Sequence, residues 1–570
     1  MKTMKSKLPV LLKWSGMMLA AWGLWIPDKV WAVGSWTGVI NEPSGVYIEQ
    51  MLLLTDGSVM GQDANNGETN WWKLTPDIHG SYVNGTWTQL ASMHYARNAY
   101  GKLVLQDGRA MMVGDENDGN GATAEIYDPV ANIWTVLPPA SVGFSDCETV
   151  LLPDDTVMIS PVSWVPHPAF ITVIYSPTAN SWSYPTTNIA YQNEASWVKM
   201  PDNSILTIDD NATTSERYVP SLGQWVADAT VPVGIYSSGE MGPGFLLPDG
   251  RAFFLGGTGH TALYTASPSG GTHPGSWAAG PDIPAGRVTA DAPGAMMFNG
   301  KVLCAVGPSA ADGGSPAPTW FYEYDYSVGA TGSFTATSSP GNSAIGSSNN
   351  IPSNQFSFLD LPDGTILCCT YSRNQLFVYQ PDLSPLASGK PAISKAGWNT
   401  DGSLHLTGTL FNGISEGTAF GDEGQDASDY PIVRFTDGSS NVYYGRTYNR
   451  SSTGVQTGGQ IVTAECAVPS IIFNGPATYS LQVVANGIAS DSVTFYGPVW
   501  VNFNYGGPFQ FGTYQFPYST LPSGVSAVAT GGTIAINAST QPSTGHQSVP
   551  YTISKPMTIN SVYGPSTIGQ

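Results

Sequence analysis

A hairpin motif recurs seven times along this chain, roughly every 50 residues. Each copy has an apolar run, a two-residue polar turn and a second apolar run, as in Phe245–Leu247, Asp249–Gly250 and Ala252–Leu255. Asp, Asn and Gly tolerate the positive φ angles of tight hairpin turns. The turns are Asp56-Gly57, Asp107-Gly108, Asp154-Asp155, Asp202-Asn203, Asp249-Gly250, Asn299-Gly300 and Asp363-Gly364.

A series of aromatic residues accompanies the turns, each two residues after a Gly or Asn: Trp36, Trp87, Trp134, Trp182, Trp225, Trp277 and Phe334. Trp36 precedes the first turn, whereas Leu386 stands where the aromatic residue of the last unit is expected. The N-terminal strand should therefore complete the last unit and close a ring without free sheet edges. The pattern predicts a seven-bladed kelch-type β-propeller over residues 33–390.

The repeat stops after the propeller, but the strand pattern continues. Residues 391–497 alternate strands with Gly-rich turns, as in Ile432–Phe435 and Tyr479–Val484, which predicts an immunoglobulin-like sandwich. Residues 498–570 contain short strands with Gly and Pro corners and predict a small β-helix-like tail. The chain has 65 Gly, 43 Pro and 11% charged residues, yet 41% are hydrophobic, so an all-β fold is expected and disorder is excluded.

The first 32 residues have the pattern of a secretory signal peptide. Lysines precede an apolar stretch, Met17–Ile26, and Val30-Trp31-Ala32 forms a small-x-small cleavage site. We therefore expect a secreted or cell-surface protein whose mature chain begins at Val33 and has no stable membrane span. The net charge of −21 argues against nucleic acid as a partner. Five cysteines in so long a chain do not form a disulfide scaffold, and buried thiols are expected.

The sandwich motifs carry the most specific resemblance to a known family. They are Gly421-Asp422, Tyr430–Arg434, Tyr443–Thr447, Ser452–Gly458 and Val483–Ile488. With the predicted propeller, they resemble the galactose oxidase and glyoxal oxidase superfamily over about residues 34–497, including its early-set C-terminal domain. This resemblance implies copper held by two tyrosines and two histidines, with a cysteine joined to one tyrosine as a radical cofactor.

The residues at the corresponding positions depart from that ligand set. Asn354-Gln355 stands where the family has Tyr-His, and the loop Thr447–Ser451 lacks the sandwich histidine. The cysteine position falls near Ala99-Tyr100, and the second tyrosine position falls near Asp146. His94-Tyr95 has the reverse order and is interpreted as an ordinary loop pair.

We therefore predict an exported, non-catalytic binding or structural module that needs no cofactor. Its expected partner is a glycan or an extracellular protein. The alternative is a copper-radical alcohol or aldehyde oxidase with a rearranged site.

Counting back from each turn places a ring of polar residues at one end of the predicted channel: Glu49, Asn98, Asp146, Asn193, Glu194, Glu240, Asp291, Asn354 and Gln355. Glu49, Asp146, Glu194, Glu240, Asp291 and Gln355 are the candidate ligand- or cation-binding residues. Their oxygen atoms would favour calcium or magnesium over copper. The alternative interpretation is a solvated polar channel end with waters between the carboxylates and no bound cation. A third hypothesis is glycan hydrolysis by a carboxylate pair such as Asp146 and Glu194.

Two further features have ordinary and functional interpretations. The acidic loop Asp422–Asp429 lacks the spacing of a calcium loop and is interpreted as a solvated turn. Five tryptophans outside the repeat are expected in the core, with stacking on sugar as the alternative: Trp71, Trp72, Trp164, Trp197 and Trp320.

Overall fold

A computed structural model describes residues 33–115, 121–145, 147–160, 170–192, 195–310, 314–419, 428–546 and 550–569. They belong to one compact unit that begins at Val33. Their regular structure is almost entirely β-strand, arranged as a propeller-like ring of sheets and a curled sheet. The predicted all-β fold of propeller and sandwich is confirmed. Over the described ranges, no helix has the length and apolar character needed to cross a membrane.

The ring is built from antiparallel sheets in which successive strands pair as a meander. Its strands are β1 (Ser35–Gly38), β2 (Ile48–Leu53), β3 (Val59–Asp63), β4 (Trp71–Thr75), β5 (Thr86–Gln89), β6 (Gly101–Val104), β7 (Ala110–Val113), β8 (Ala124–Asp128), β9 (Ile133–Val136), β10 (Thr149–Leu151), β11 (Val157–Ile159), β12 (Val173–Ser176), β13 (Ser181–Ser183), β14 (Val198–Lys199), β15 (Ile205–Ile208), β16 (Ser215–Val219), β17 (Gln224–Ala227), β18 (Gly244–Leu246), β19 (Ala252–Leu255), β20 (Thr261–Thr265), β21 (Ser276–Ala279), β22 (Arg287–Val288), β23 (Gly294–Met296), β24 (Val302–Pro308), β25 (Thr319–Asp325), β26 (Ser333–Ala336), β27 (Ser348–Asn349), β28 (Phe356–Asp360), β29 (Ile366–Thr370) and β30 (Phe377–Gln380). Short 3-10 helices span Pro284–Gly286, Ser353–Gln355 and Ala387–Gly389.

The N-terminal strand closes the ring as expected. β1 pairs antiparallel with β30, with Trp36 opposite Tyr379. Sheet β28–β29–β30 thus gains its fourth strand from the other end of the ring, so neither partner leaves a free edge there.

The repeated tryptophans connect each sheet to the preceding one, which explains their spacing. Five of the six pack beside the tyrosine of their own sheet, as Trp134 does with Tyr127 at 5.0 Å between ring centroids. The same five indole NH groups donate hydrogen bonds to the preceding sheet or to the chain next to it, whereas the indole nitrogen of Trp87 is enclosed without a partner. The bonds are Trp36 to Ser338 O, Trp134 to Ala91 O, Trp182 to Pro138 O, Trp225 to Thr172 Oγ1 and Trp277 to Ser215 Oγ.

The sandwich is one curled eight-stranded sheet that follows the ring. Its strand order is β31–β32–β36–β35–β34–β37–β38, with β39 also paired to β37. The strands are β31 (Ala392–Trp398), β32 (Leu404–Thr409), β34 (Ile432–Asp437), β35 (Val442–Tyr448), β36 (Val462–Ala467), β37 (Thr478–Ala485), β38 (Ile488–Ala489) and β39 (Val493–Tyr496), with the helix α1 (Ser470–Phe473) before β37. Leu406, Phe435 and Leu481 pack inside the curl.

One strand from this part of the chain returns to the ring and changes one of its sheets. β33 (Thr418–Ala419) pairs with β23, while β22 and β27 pair with β24 and β25. That sheet therefore has seven strands, and six sheets of the ring have four. The prediction of a seven-bladed propeller is therefore wrong: six regular four-stranded blades are present, and the remaining sheet is not one of them. The repeat could not show that a later segment would extend the inner edge of the remaining sheet.

The turns that define the repeat face the sandwich. A Cβ added at Gly57, which has φ of +75°, would lie 2.8 Å from Cγ of Tyr444. Tyr82 donates a hydrogen bond to the Gly57 carbonyl. Gly57 is therefore required both by the turn and by the close approach of the sandwich.

The tail forms short parallel strands. β40 (Val499–Val501), β41 (Thr533–Asn537) and β43 (Thr558–Val562) make one parallel sheet. β42 (Thr544–Gly545) and β44 (Thr567–Ile568) make a second, and α2 (Leu521–Ala527) covers the first. Parallel stacking of successive strands is the arrangement expected of a β-helix. All five cysteines lie in described regions, where they are buried and no disulfide joins them.

Candidate functional site

The first strands of neighbouring sheets contact one another around the ring axis, so residues before these strands share one end of the channel. This is where the sequence places its candidate ligand residues. Asp146, Asn193 and Glu194 lie outside the described residues, so the carboxylate pair suggested for glycan hydrolysis stays a prediction. The positions of the other candidates are described.

Glu49 lies on β2, and its carboxyl has a perturbed pKa. Burial, together with the nearby Glu68 carboxylate, raises its pKa from 4.5 to about 7, although Lys102 opposes the shift. Burial also raises the pKa of Glu68, and Asp115 adds to that shift. Asp115 in turn accepts a hydrogen bond from the amide of Asn98 at 3.0 Å. Glu49, Glu68 and Asp115 therefore form one acidic group between the first two sheets.

Glu240 belongs to a second acidic group on another part of the ring. Burial and the neighbouring Glu240 carboxylate raise the pKa of Asp210 to about 6. Asp291, before β23, has φ of +44° and its amide donates to the carbonyl of Met241. The predicted acidic candidates are thus distributed among separate surroundings. In the described ranges, no group of three His, Cys, Asp or Glu side chains could hold a metal ion.

Asn354 and Gln355 end the short 3-10 helix that leads into β28. Both are partly buried, and Oδ1 of Asn354 is enclosed without a hydrogen-bond partner. An amide pair can donate and accept hydrogen bonds but supplies neither the imidazole nor the phenolate of the resembled copper site. This end of the channel is suited to polar recognition.

The pKa of Glu49 leads to a testable pH dependence. Because the folded chain holds this proton more tightly than the unfolded chain, Glu49 lowers stability as pH rises from about 4.5 to about 7. We expect Glu49→Gln to be more stable than wild type by about 1–2 kcal/mol at about pH 8, and to show no gain at about pH 4. Urea unfolding at both pH values measures the difference. Asp491→Asn, at an exposed carboxylate, should show no such gain, and equal effects in the two variants would contradict the assignment.

Inside the ring lies a buried ion-pair network that the sequence pattern did not indicate. Nζ of Lys199, on β14, lies 3.0 Å from Oδ2 of Asp429 and 3.2 Å from Oε1 of Glu416. It also donates to the carbonyl of Thr453 at 3.1 Å. Although burial alone would lower the pKa of Lys199, these two carboxylates raise it. The ammonium therefore stays charged and joins the ring to the segments that follow it.

A second buried carboxyl, that of Glu148, lies between this network and Lys102. Both its oxygens are enclosed and make no hydrogen bond of normal geometry. Burial, followed by the charge of Glu416, raises its pKa, while the amides of Trp197 and Thr149 and the ammonium of Lys102 oppose the shift. Lys102 itself donates a hydrogen bond to Gln50. Lys102, Glu148 and the Lys199 network thus place titratable side chains of the protein inside the ring.

Asp429 corrects part of one sequence interpretation. The acidic loop Asp422–Asp429 was expected to be a solvated turn, and residues up to 427 lie outside the described residues. Asp429, however, has a side chain that is only 12% exposed and is paired with Lys199. The run of acidic residues indicated a loop exposed to solvent, because the sequence does not show that the end of this segment packs into the ring.

The loop expected to carry a sandwich histidine holds Arg450 instead. This side chain is 5% exposed and donates to the carbonyls of Val104 and Leu105 at 3.2 and 3.3 Å. Its guanidinium lies over the ring of Tyr430. Burial lowers the pKa of Arg450, yet a guanidinium remains a cation and offers no lone pair to a metal.

The remaining donors also do not fit a copper-radical site. The described histidines have separate surroundings: His79 beside Ser440, His94 beside Glu125, His260 beside Asp282, His273 beside Gly270, His405 beside Glu465, and His546 in the tail. His167 lies outside the described residues. The cysteines lie in five different hydrophobic clusters. The described residues thus do not bring two imidazoles and a thiol together.

The tryptophans suggested for sugar contact have different environments. Trp71 and Trp197 are buried among core residues, and Trp72 and Trp320 are half-buried. The guanidinium of Arg287 covers the ring of Trp320 at 3.7 Å. Trp164 lies outside the described residues. The core interpretation therefore holds for Trp71 and Trp197.

Comparison with solved structures identifies the fold but not the activity. A fungal alcohol oxidase of the AA5 family, determined in complex with copper, aligns over 82% of this chain and 100% of its own, with a TM-score of 0.50 and 14% identity. The two chains share a fold. This agrees with the galactose-oxidase-like resemblance at the level of architecture. No protein-family model matches the chain, and no curated protein matches it.

Proposed function

We propose that this chain is an exported binding protein that has the fold of a copper alcohol oxidase but lacks copper-radical chemistry. Its ligand is a carbohydrate or a protein outside the cell. The observation that carries the proposal is the buried Arg450 in the loop where the resemblance places a histidine ligand. A guanidinium there would repel a metal cation and could not bind it.

The rest of the channel supports a structural role for the buried charges. Lys199 ties the fourth sheet to Glu416 and Asp429, and Arg450 ties the second sheet to the sandwich. Lys199 is paired with both carboxylates, and Arg450 makes its two hydrogen bonds to the second sheet through Nη2. Recognition is thereby assigned to surfaces outside this buried centre, including the polar end of the channel.

An oxidase assay tests the proposal against its alternative. Purified protein is loaded with Cu(II) under oxygen, dialysed and incubated with simple alcohols, sugars and aldehydes. We expect no peroxide above that of the same protein without copper. Copper-dependent peroxide formation would establish the rearranged oxidase instead.

A further inference from the structure

The tail differs from the rest of the chain in charge. Residues 498–570 contain one charged side chain, that of Lys555, in a chain whose net charge is −21. Nζ of Lys555 is itself directed at the carbonyls of Ser526 and Val528. The tail surface therefore offers almost no charge to a partner, which disfavours polyanions and polycations as its ligand.

This uncharged tail presents three phenylalanine rings to solvent. Phe509 and Phe511 are 59% and 60% exposed, and Phe516 is 38% exposed. The rings of Phe509 and Phe511 lie in nearly parallel planes, with centroids 6.1 Å apart and an angle of 14°. Elsewhere, most of the strongly exposed large apolar residues are single aliphatic side chains, such as Ile40 and Leu383. We call Phe509, Phe511 and Phe516 the aromatic strip.

Hydrogen bonds to the backbone of the strip hold it in place before any ligand binds. The amide of Phe511 donates to the carbonyl of Phe516 at 2.8 Å. Tyr505 Oη donates to the carbonyl of Phe509 at 2.9 Å. A preformed apolar surface loses little conformational entropy when it binds a ligand.

The strip continues into a cavity through hydrogen-bonding side chains. Gln510, between the two parallel rings, bonds to both the amide and the hydroxyl of Ser519. Ser519 lines a cavity of about 620 Å³ whose walls also include Phe503, Tyr551 and Thr544. This volume lies within the range of small-ligand sites. The aromatic strip and the cavity wall are thus joined through Gln510 and Ser519, and together they form the candidate binding face.

We propose that this face binds a neutral polysaccharide chain, which lies across the aromatic strip and inserts a sugar unit or chain end into the cavity. Sugar rings present CH faces that stack on aromatic rings, and their hydroxyls bond to amide and hydroxyl side chains at the edges. When a neutral polysaccharide binds there, almost no charged group has to lose its hydrating water. The proposal rests on the binding function proposed above and names both the ligand class and the binding surface.

Affinity electrophoresis of the full chain in native gels tests this assignment. The gels contain hydroxyethylcellulose, xyloglucan, glucomannan or mixed-linkage glucan, with alginate as an anionic comparison. We expect at least one neutral polymer, and not alginate, to retard the wild type. Phe509→Ala/Phe511→Ala should weaken the retardation about tenfold or more, because the central contacts of an interface carry most of its binding energy.

The control is Ile40→Ala/Leu383→Ala, which removes two side chains that are each 67% exposed and lie outside the tail. It should bind as the wild type does, and thermal melting should confirm that both double variants are folded. No retardation by any neutral polymer, or retardation by alginate alone, would overturn the proposal.

Two other results would also overturn the assignment and would identify what replaces it. Equal retardation of wild type and Phe509→Ala/Phe511→Ala would leave the proposed binding function standing and place its surface elsewhere. The wild type could instead self-associate, with this association lost in the variant while retardation stays the same. That result would assign the strip to a second copy of the chain. The oxidase assay described above tests the proposed function separately, because copper-dependent peroxide formation would contradict that function.

Discussion

Replacing Lys199 with methionine should lower the free energy of unfolding by about 3–5 kcal/mol. The substitution preserves most of the side-chain volume but leaves Glu416 and Asp429 without their shared cation inside the ring. Two uncompensated buried carboxylates are strongly unfavourable. Urea unfolding followed by tryptophan fluorescence measures the loss, which should shrink at low pH because protonation relieves the repulsion.

Lys390→Met is the matched control for this experiment. Lys390 also forms an ion pair, with Asp491 at 2.5 Å, but the two side chains are 42% and 89% exposed. Exposed pairs contribute about 0–1 kcal/mol, so this variant should unfold nearly as the wild type does. Similar losses in the two lysine variants would show that the Lys199 network is not a buried link between ring and sandwich.

Replacing Trp36 with alanine should also cost about 3–5 kcal/mol, the usual effect of removing a large aromatic side chain from a packed site. Trp36 is on the strand that closes the ring and packs against Phe321 and Tyr379 at 5.3 and 4.7 Å between centroids. Its indole also donates to the carbonyl of Ser338 at 2.9 Å. Thermal and urea unfolding measure the effect.

Ile40→Ala is the control for the closing strand, because Ile40 is nearby in sequence but 67% exposed. Its effect should lie within about 0.5 kcal/mol of zero. A Trp36→Ala variant as stable as Ile40→Ala would contradict the conclusion that β1 is needed to complete the last sheet.

The ring could be predicted because its signals are local and repeated. Turns such as Asp56-Gly57 need residues that accept positive φ, and tryptophans such as Trp134 fill the same contact between successive sheets. The position of Trp36 ahead of the first turn was enough to predict the pairing of β1 with β30. The sequence also indicated the parallel strands of the tail through its Gly corners.

The centre of the channel could not be predicted in the same way. The spacing from the turns identifies Glu49 as a residue at the end of the channel. Lys102 and Lys199 lie closer to their turns in sequence, so the same spacing does not identify them. Glu416 and Asp429 belong to a segment outside the repeat, so their positions in the ring could not be inferred from the spacing of the turns. Arg450 lies in the loop where the resemblance places a histidine, yet nothing in the sequence of this loop indicates that the guanidinium is buried.

The aromatic strip was overlooked for a related reason. Its phenylalanines resemble core residues in sequence, and only their exposure distinguishes Phe509 and Phe511 from buried rings such as Phe435. The scarcity of charged residues over 498–570, where Lys555 is the only one, was the available signal. Its meaning depends on which side chains face solvent, which the pattern alone does not show.

The copper content of the purified chain distinguishes the proposed binding protein from the rearranged copper-radical oxidase. The protein is reconstituted with Cu(II) under oxygen, dialysed against a chelator and analysed for its elements. We expect much less than one retained copper per chain. About one tightly held copper per chain would contradict this expectation and would show that ligands beyond those predicted here assemble at the ring axis.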